Sequence, residues 1–447
     1  MRVLTRVLLT ALIGMPASAA RADDAAVKLT VAPAAAPRLA LRYHLLPEVR
    51  EQTPGNAAQW YFRCFQEQRN FFGSKQANDE RARYRAAPLA DLQAEQLRHY
   101  GGSALTQADW GARLDTCDWQ ALQRVQTEGL DLPLLEVEPL KVLGTALQVR
   151  FRGQMAGRHY DEAVGTGKTM FALARHLGEY PAAPANRAGL TIAGLALDSL
   201  NEMVQQPGCP NLYWALTDLP APLVDVRKGL QGHRVQVATE LKALRDDISM
   251  TPAAAADLVG RLSGGLGYER EQAGKPPRNL RAELKARADD PARVRAARRR
   301  LVDDGRSWLT LALFPTAQVI LLDEQRSYEI ERDEALKLLA LPPVQAEALA
   351  ARPAGEPGLF ADLVPDVAGL RRARAKIDQR VAALRHVEAL RMYAAGHSGQ
   401  LPPSLADIGL PLPADPVTGT PFSYTLDRPT AHLRGADGAH FEITVRK

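Results

Sequence analysis

Apolar positions change their period along the chain, and the changes divide it. Val27, Leu29 and Val31 alternate with Lys28 and Thr30, and Leu39 to Leu46 is also strand-like. Pro54-Gly55-Asn56 then opens a helix through Trp60, Tyr61, Phe62 and Phe65 that ends near Gly73. From there to about residue 268 the pattern is helical almost throughout. Helices are predicted over 88–99, 105–128, 133–156, 159–179, 187–206, 223–246 and 252–264, with Gly and Pro between them. Short connections favour antiparallel neighbours, so residues 23–268 are predicted to form a helical bundle or short solenoid with short strands at its start.

Residues 269–291 are polar and nearly free of large apolar side chains, which predicts a linker or hinge. Five arginines lie between Arg293 and Arg300, flanked by Asp289, Asp290, Asp303 and Asp304, the pattern of a solvated helix face. Helices over 316–340 and 343–351 complete a helical segment, 292–365. Asp366 to Gly396 then reads as one helix of about 45 Å. Leu370, Ala373, Ile377, Val381, Leu384, Val387 and Leu390 form a single apolar stripe along it.

Beyond that helix the period falls to two. Phe422, Tyr424 and Leu426, then Phe441, Ile443 and Val445, alternate with polar residues, and Asp427-Arg428-Pro429 and Gly435-Ala436-Asp437-Gly438 supply turns. Helix and sheet each carry one apolar face, so they are predicted to pack together over 366–447, burying Ile377, Val381 and Leu384 with Tyr424 or Phe422. The predicted class is mainly α: a bundle or short solenoid, with a small C-terminal antiparallel sheet on a long helix.

The first residues have another purpose. Arg2 precedes a short apolar run from Val7 to Met15, then Pro16 and two A-x-A sites ending at Ala19 and Ala22. Residues 1–22 are predicted to be a signal peptide cleaved before Asp23, with export to the periplasm or cell surface. The longest later uncharged run, Ser307 to Leu322, is shorter than the ~20 residues a bilayer needs and contains Pro315, so no transmembrane segment is predicted in the mature chain. Export permits oxidation, and Cys64, Cys117 and Cys209 allow one disulfide of unspecified pairing.

Charge adds little. The formal net charge is +5, and only 11 of 56 basic residues are lysine, a bias that scatters arginine instead of concentrating it on one face. Nucleic acid is not indicated.

Candidate chemistry is sparse. Gly165-Thr166-Gly167-Lys168-Thr169 approaches a P-loop, but Glu162 stands where the first glycine belongs and no strand precedes it. Gly157 followed by Tyr160-Asp161-Glu162-Ala163 is closer to the turn and second helix of one tetratricopeptide repeat, with Lys168 on the helix surface. Gly396-His397-Ser398-Gly399 lacks the last glycine of a nucleophile elbow. The nine histidines show neither H-E-x-x-H nor a close His/Cys pair, so no metal ligand is predicted, and no catalytic or cofactor-binding residue either. The distinctive strings are Cys117-Asp118-Trp119 and Asn211-Leu212-Tyr213-Trp214-Ala215-Leu216. Trp119, Tyr213 and Trp214 are the candidate lining of a binding groove, with core packing as the alternative.

Several strings carry a resemblance: Leu45-Leu46-Pro47-Glu48 with Thr53 to Ala58, Cys117-Asp118-Trp119, Pro207 to Leu219, and the tail from His386. Together they resemble an uncharacterised family of secreted planctomycete proteins, which implies an identity without an activity. Leu401-Pro402-Pro403-Ser404-Leu405-Ala406-Asp407-Ile408 and Asp415 to Tyr424 are similar to the C-terminal part of type II secretion pseudopilins. That implies a pilin-like helix-and-sheet head. Pilins run a prepilin cleavage site directly into the long helix, and this chain does not, so fibre assembly does not follow. The function expected is a non-enzymatic envelope scaffold that binds another envelope protein. The alternatives are an envelope hydrolase, such as a helical peptidoglycan lyase using one buried Glu, or an accessory of a pilus-like secretion system.

Overall fold

A computed structural model describes residues 26–272, 275–350 and 357–446. The predicted signal peptide lies outside the described residues. The chain is mainly helical, about 62% helix and 7% strand, with a small sheet formed largely by its C-terminal strands.

Six strands are described: β1 (Val27–Val31), β2 (Thr53–Asn56), β3 (Leu114–Thr116), β4 (Ser423–Asp427), β5 (Thr430–Arg434) and β6 (His440–Val445). β4, β5 and β6 form an antiparallel meander, and β1 adds to β6 in parallel, giving the order β1-β6-β5-β4. The alternation at 27–31 is therefore a strand, but its partner is β6 instead of a neighbour in the helical region. β2 and β3 make a separate parallel pair. Leu39 to Leu46 is not a strand. It runs through bends, with Leu39 and Leu41 exposed, because no strand lies beside it to accept its backbone bonds.

Two hydrophobic cores divide the molecule. The first gathers residues from Leu29 to Leu230 and from Val367 to Ile443, so the helical region and the C-terminal sheet share one interior. Its centre is formed by helices Val137–Ala156, Tyr160–Gly178 and Ala183–Met203. The second core takes residues from Val237 to Leu363, inserted between the Arg227–Leu241 helix and the long helix. The segment predicted as a linker contributes to it: the Leu280–Ala288 helix, capped by Asn279, buries Leu280 and Leu284.

The long helix spans Val367–Gly396, with the Asp366 carboxylate accepting from the Gly369 N–H at 2.8 Å. Ile377, Leu384 and Phe422 are buried as predicted, while Val381 and Tyr424 are only half-buried. The single stripe needs correction. Between Ala382 and Arg391 every residue except Arg385 is buried, because the sheet covers one side and other helices the rest. That burial includes charge. Arg391, 0% exposed, donates to Ala32 O at 2.8 Å, to Cys209 O at 3.1 Å and to the Glu388 carboxylate at 2.6 Å. Asn211 meanwhile donates to Glu388 O at 2.8 Å. This knot joins the residue after β1, the 209–211 loop and the long helix.

Candidate functional site

Of the three predicted groove aromatics, Tyr213 and Trp214 are neighbours and Trp119 lies apart from them. Trp119 is a core side chain whose indole N–H donates to His176 O at 2.7 Å and whose ring stacks on Tyr61. Tyr213 is buried elsewhere, with its hydroxyl on Pro411 O, and half-buried Trp214 lies edge-on to it at 5.1 Å. Trp119 and Tyr213 are buried, and Trp214 is half-buried beside Tyr213.

A cleft of about 610 Å³ lies between the Gly102–Ala112, Val137–Ala156 and Tyr160–Gly178 helices and the segment 42–51. Helical spacing puts its polar groups on facing stripes: Glu162, Thr166 and Thr169 on one helix, Arg150 and Gln154 on the next, Thr106 and Asp109 on the third. Arg150 grips Asp109 with both terminal nitrogens at 2.9 and 2.6 Å, and its Nε donates to Thr166 Oγ1 at 3.1 Å. Thr169 donates to Asp109 Oδ1 at 2.6 Å, and Thr166 to Gln154 Oε1 at 2.7 Å. Arg98 pairs with Glu162, and Tyr43 and Arg42 both donate to Asp161.

The P-loop-like string lines this cleft, but from the middle of a helix, where backbone N–H groups are spent on intrahelical bonds. Lys168 is not the plain surface residue predicted. Its ammonium reaches both oxygens of Glu51 at 2.8 and 2.7 Å, and its side chain is 16% exposed.

Electrostatics set what these groups can do. Burial alone would raise Glu51, but the Lys168 ammonium and the Glu48 backbone outweigh it and hold the carboxyl below its usual value. The Arg98 guanidinium lowers Glu162. Burial and the bond to Asp161 push the Tyr43 hydroxyl up to about 12. Both glutamates are therefore ionised acceptors and Tyr43 a neutral donor, each engaged by a partner in the cleft wall. A carboxyl that serves as a general acid needs the opposite shift, up toward neutral pH.

A second cleft of about 410 Å³ contains Cys117 and His176. Burial raises the Cys117 thiol, and burial with Arg175 pushes His176 down to about 4. A thiolate nucleophile with an imidazolium partner needs both shifts reversed. Cys64, Cys117 and Cys209 are thiols, with no disulfide among them.

Two further features lie outside the clefts. The Trp308–Leu313 helix buries only Leu311 and turns Trp308 (65% exposed), Leu309 (60%) and Leu313 (82%) to solvent. On the sheet, His432, His440 and Glu442 bring one ligand atom each to within 4.8 Å of one another. The sequence patterns sought for metal ligands belong to helices and Cys/His knuckles, so they passed over this set. A hairpin signal was present: His432 and Glu442 lie equally far from Asp437 at the middle of the turn, which places them opposite each other.

Comparison with known proteins gives no relative: no family model, curated protein or solved structure matches the chain.

Proposed function

We propose that this chain is an exported, non-enzymatic scaffold of the cell envelope that binds another protein. The observation that carries the reading is the apolar ridge of Trp308, Leu309 and Leu313, which the second core leaves uncovered. Soluble proteins rarely expose contiguous large apolar groups without a partner for them, and tryptophan is enriched where binding energy concentrates. Leu309 and Leu313, one helical turn apart, share a face and can enter one partner groove together. The export part rests on residues 1–22, whose charge, apolar run and A-x-A sites fit a signal peptide.

The test is a photo-reactive phenylalanine analogue placed at position 313 in envelope preparations from the producing cells. One discrete adduct that disappears with Trp308→Ser is the expected result. No adduct, or the same adducts from a probe at exposed Gln93, would refute the ridge as a docking face.

A further inference from the structure

We propose that the outer face of the C-terminal sheet carries a site for a late first-row divalent metal ion of the Zn2+ class, held by His432, His440 and Glu442. The register builds it. His432 on β5 stands opposite Glu442 on β6, and His440 lies two residues along β6 on the same face. The intervening residues Ala431, Leu433, Phe441 and Ile443 are buried in the first core, so a slip that would separate the three side chains would also expose that apolar set. The ligands therefore stand on a rigid element.

The two imidazoles are spaced for one ion, and Glu442 lies within reach of them. His432 Nδ1 and His440 Nε2 are 3.2 Å apart. Two imidazole nitrogens on a tetrahedral zinc, each at 2.0–2.1 Å from it, stand about 3.3 Å from each other. Asp427 Oδ2 lies 3.6 Å from Nε2 of His432, the ring nitrogen not aimed at His440. Asp427 is 80% exposed and free to close on Nε2, where its carboxylate would hold the proton and leave the Nδ1 lone pair for a metal. Glu442 at present faces Lys28 at 3.7 Å, but that lysine is 81% exposed and can swing away. Arg434, opposite His440, is the other nearby cation, so Lys28 and Arg434 balance Glu442 and Asp427 before an ion arrives. All three ligands are half-buried, which leaves a coordination position open to solvent. Imidazole with one carboxylate suits zinc, copper or nickel better than magnesium or calcium.

The experiment titrates Zn2+ into the full, tag-free, chelator-stripped protein by calorimetry. One equivalent should bind, and it should raise the melting temperature. His432→Ala and His440→Ala should each weaken binding by at least about 100-fold, and Asp427→Asn by about 10-fold. Glu442→Gln, nearly isosteric, should also weaken binding, and it keeps the test valid should a histidine variant unfold. Melting in chelator checks that each variant is folded. His397→Ala, at an exposed histidine off the sheet, should change nothing. Absence of stoichiometric binding, or equal affinity in the wild type and the folded His432, His440 and Glu442 variants, would overturn the site.

Discussion

Replacing Arg391 by Met tests how the first core is tied together. Methionine preserves most of the apolar stem but removes the guanidinium that lies 2.6 Å from Glu388 and donates to Ala32 O and Cys209 O. Both members of the pair are essentially inaccessible, at 0% and 1% exposure. Burial already pushes the Glu388 carboxyl up, and Arg391 only partly offsets it. Without Arg391 the carboxylate is uncompensated and two buried carbonyls lose a donor. Breaking a buried pair from one side costs about 3–5 kcal/mol, a large share of the ~5–15 kcal/mol by which domains are stable. Glu388→Gln keeps a hydrogen-bond acceptor for Arg391 and should cost only about 1–2 kcal/mol. The double variant should be less destabilised than the two single costs added, with a coupling of about 1–3 kcal/mol. Urea unfolding followed by tryptophan fluorescence is the assay. Trp60, Trp110, Trp119 and Trp214 belong to the first-core part of the chain, whereas Trp308 is largely exposed beside the second core. The signal therefore reports the first core. Arg391→Met within about 0.5 kcal/mol of wild type, or Glu388→Gln costing more than Arg391→Met, would refute the reasoning.

Three other outcomes are expected. Lys168→Ala should destabilise by about 1–2 kcal/mol in urea unfolding, because it strands a part-buried Glu51, and ATP should not raise the melting temperature of either protein. Leu384→Asp should expose the C-terminal segment to protease, whereas exposed Arg372→Asp should not; equal resistance would mean that Leu384 is not core. Burial pushes His176 and His233 down to about 4, against about 6.5 in an unfolded chain. Between those values the unfolded chain takes up protons that the folded one refuses. Stability should therefore fall as pH drops from about 6.5 to about 4, by up to about 1.4 kcal/mol per pH unit for each histidine, and His233→Leu should flatten the decline.

Helices were legible as spans at Val137–Ala156, Tyr160–Gly178 and Val367–Gly396, although the first and last are buried on more than the one face that their apolar period marks. Contacts between distant segments were not. The alternation at 27–31 announces a strand, but nothing local says that its partner is β6. The long helix was misjudged because Glu388 and Arg391 look like solvent residues in a periodicity count, although each neutralises the other inside the core. Lys168 failed for the same reason: its partner Glu51 is 117 positions away. Leu39 and Leu41 made a strand-like string with no neighbouring strand to complete it, and apolar composition alone cannot supply one. The sheet-face histidines were legible in principle, since a turn fixes which positions oppose each other.

The pairing of β1 with β6 also governs when this molecule can be finished. Thr30 and Thr444, joined at 3.2 Å by their hydroxyls, stand 414 positions apart. At 5–20 residues per second, synthesis of the chain between them takes roughly 20–80 s, and β1 has no sheet to join during that interval. Its buried side chains, Leu29 and Val31, must wait uncovered or be shielded by something else. Until β6 emerges, the first strand is an open template for other extended chains. Closing the sheet is then an event of the completed polypeptide, so a molecule cut short before His440 keeps most of its helices but never seats its first strand.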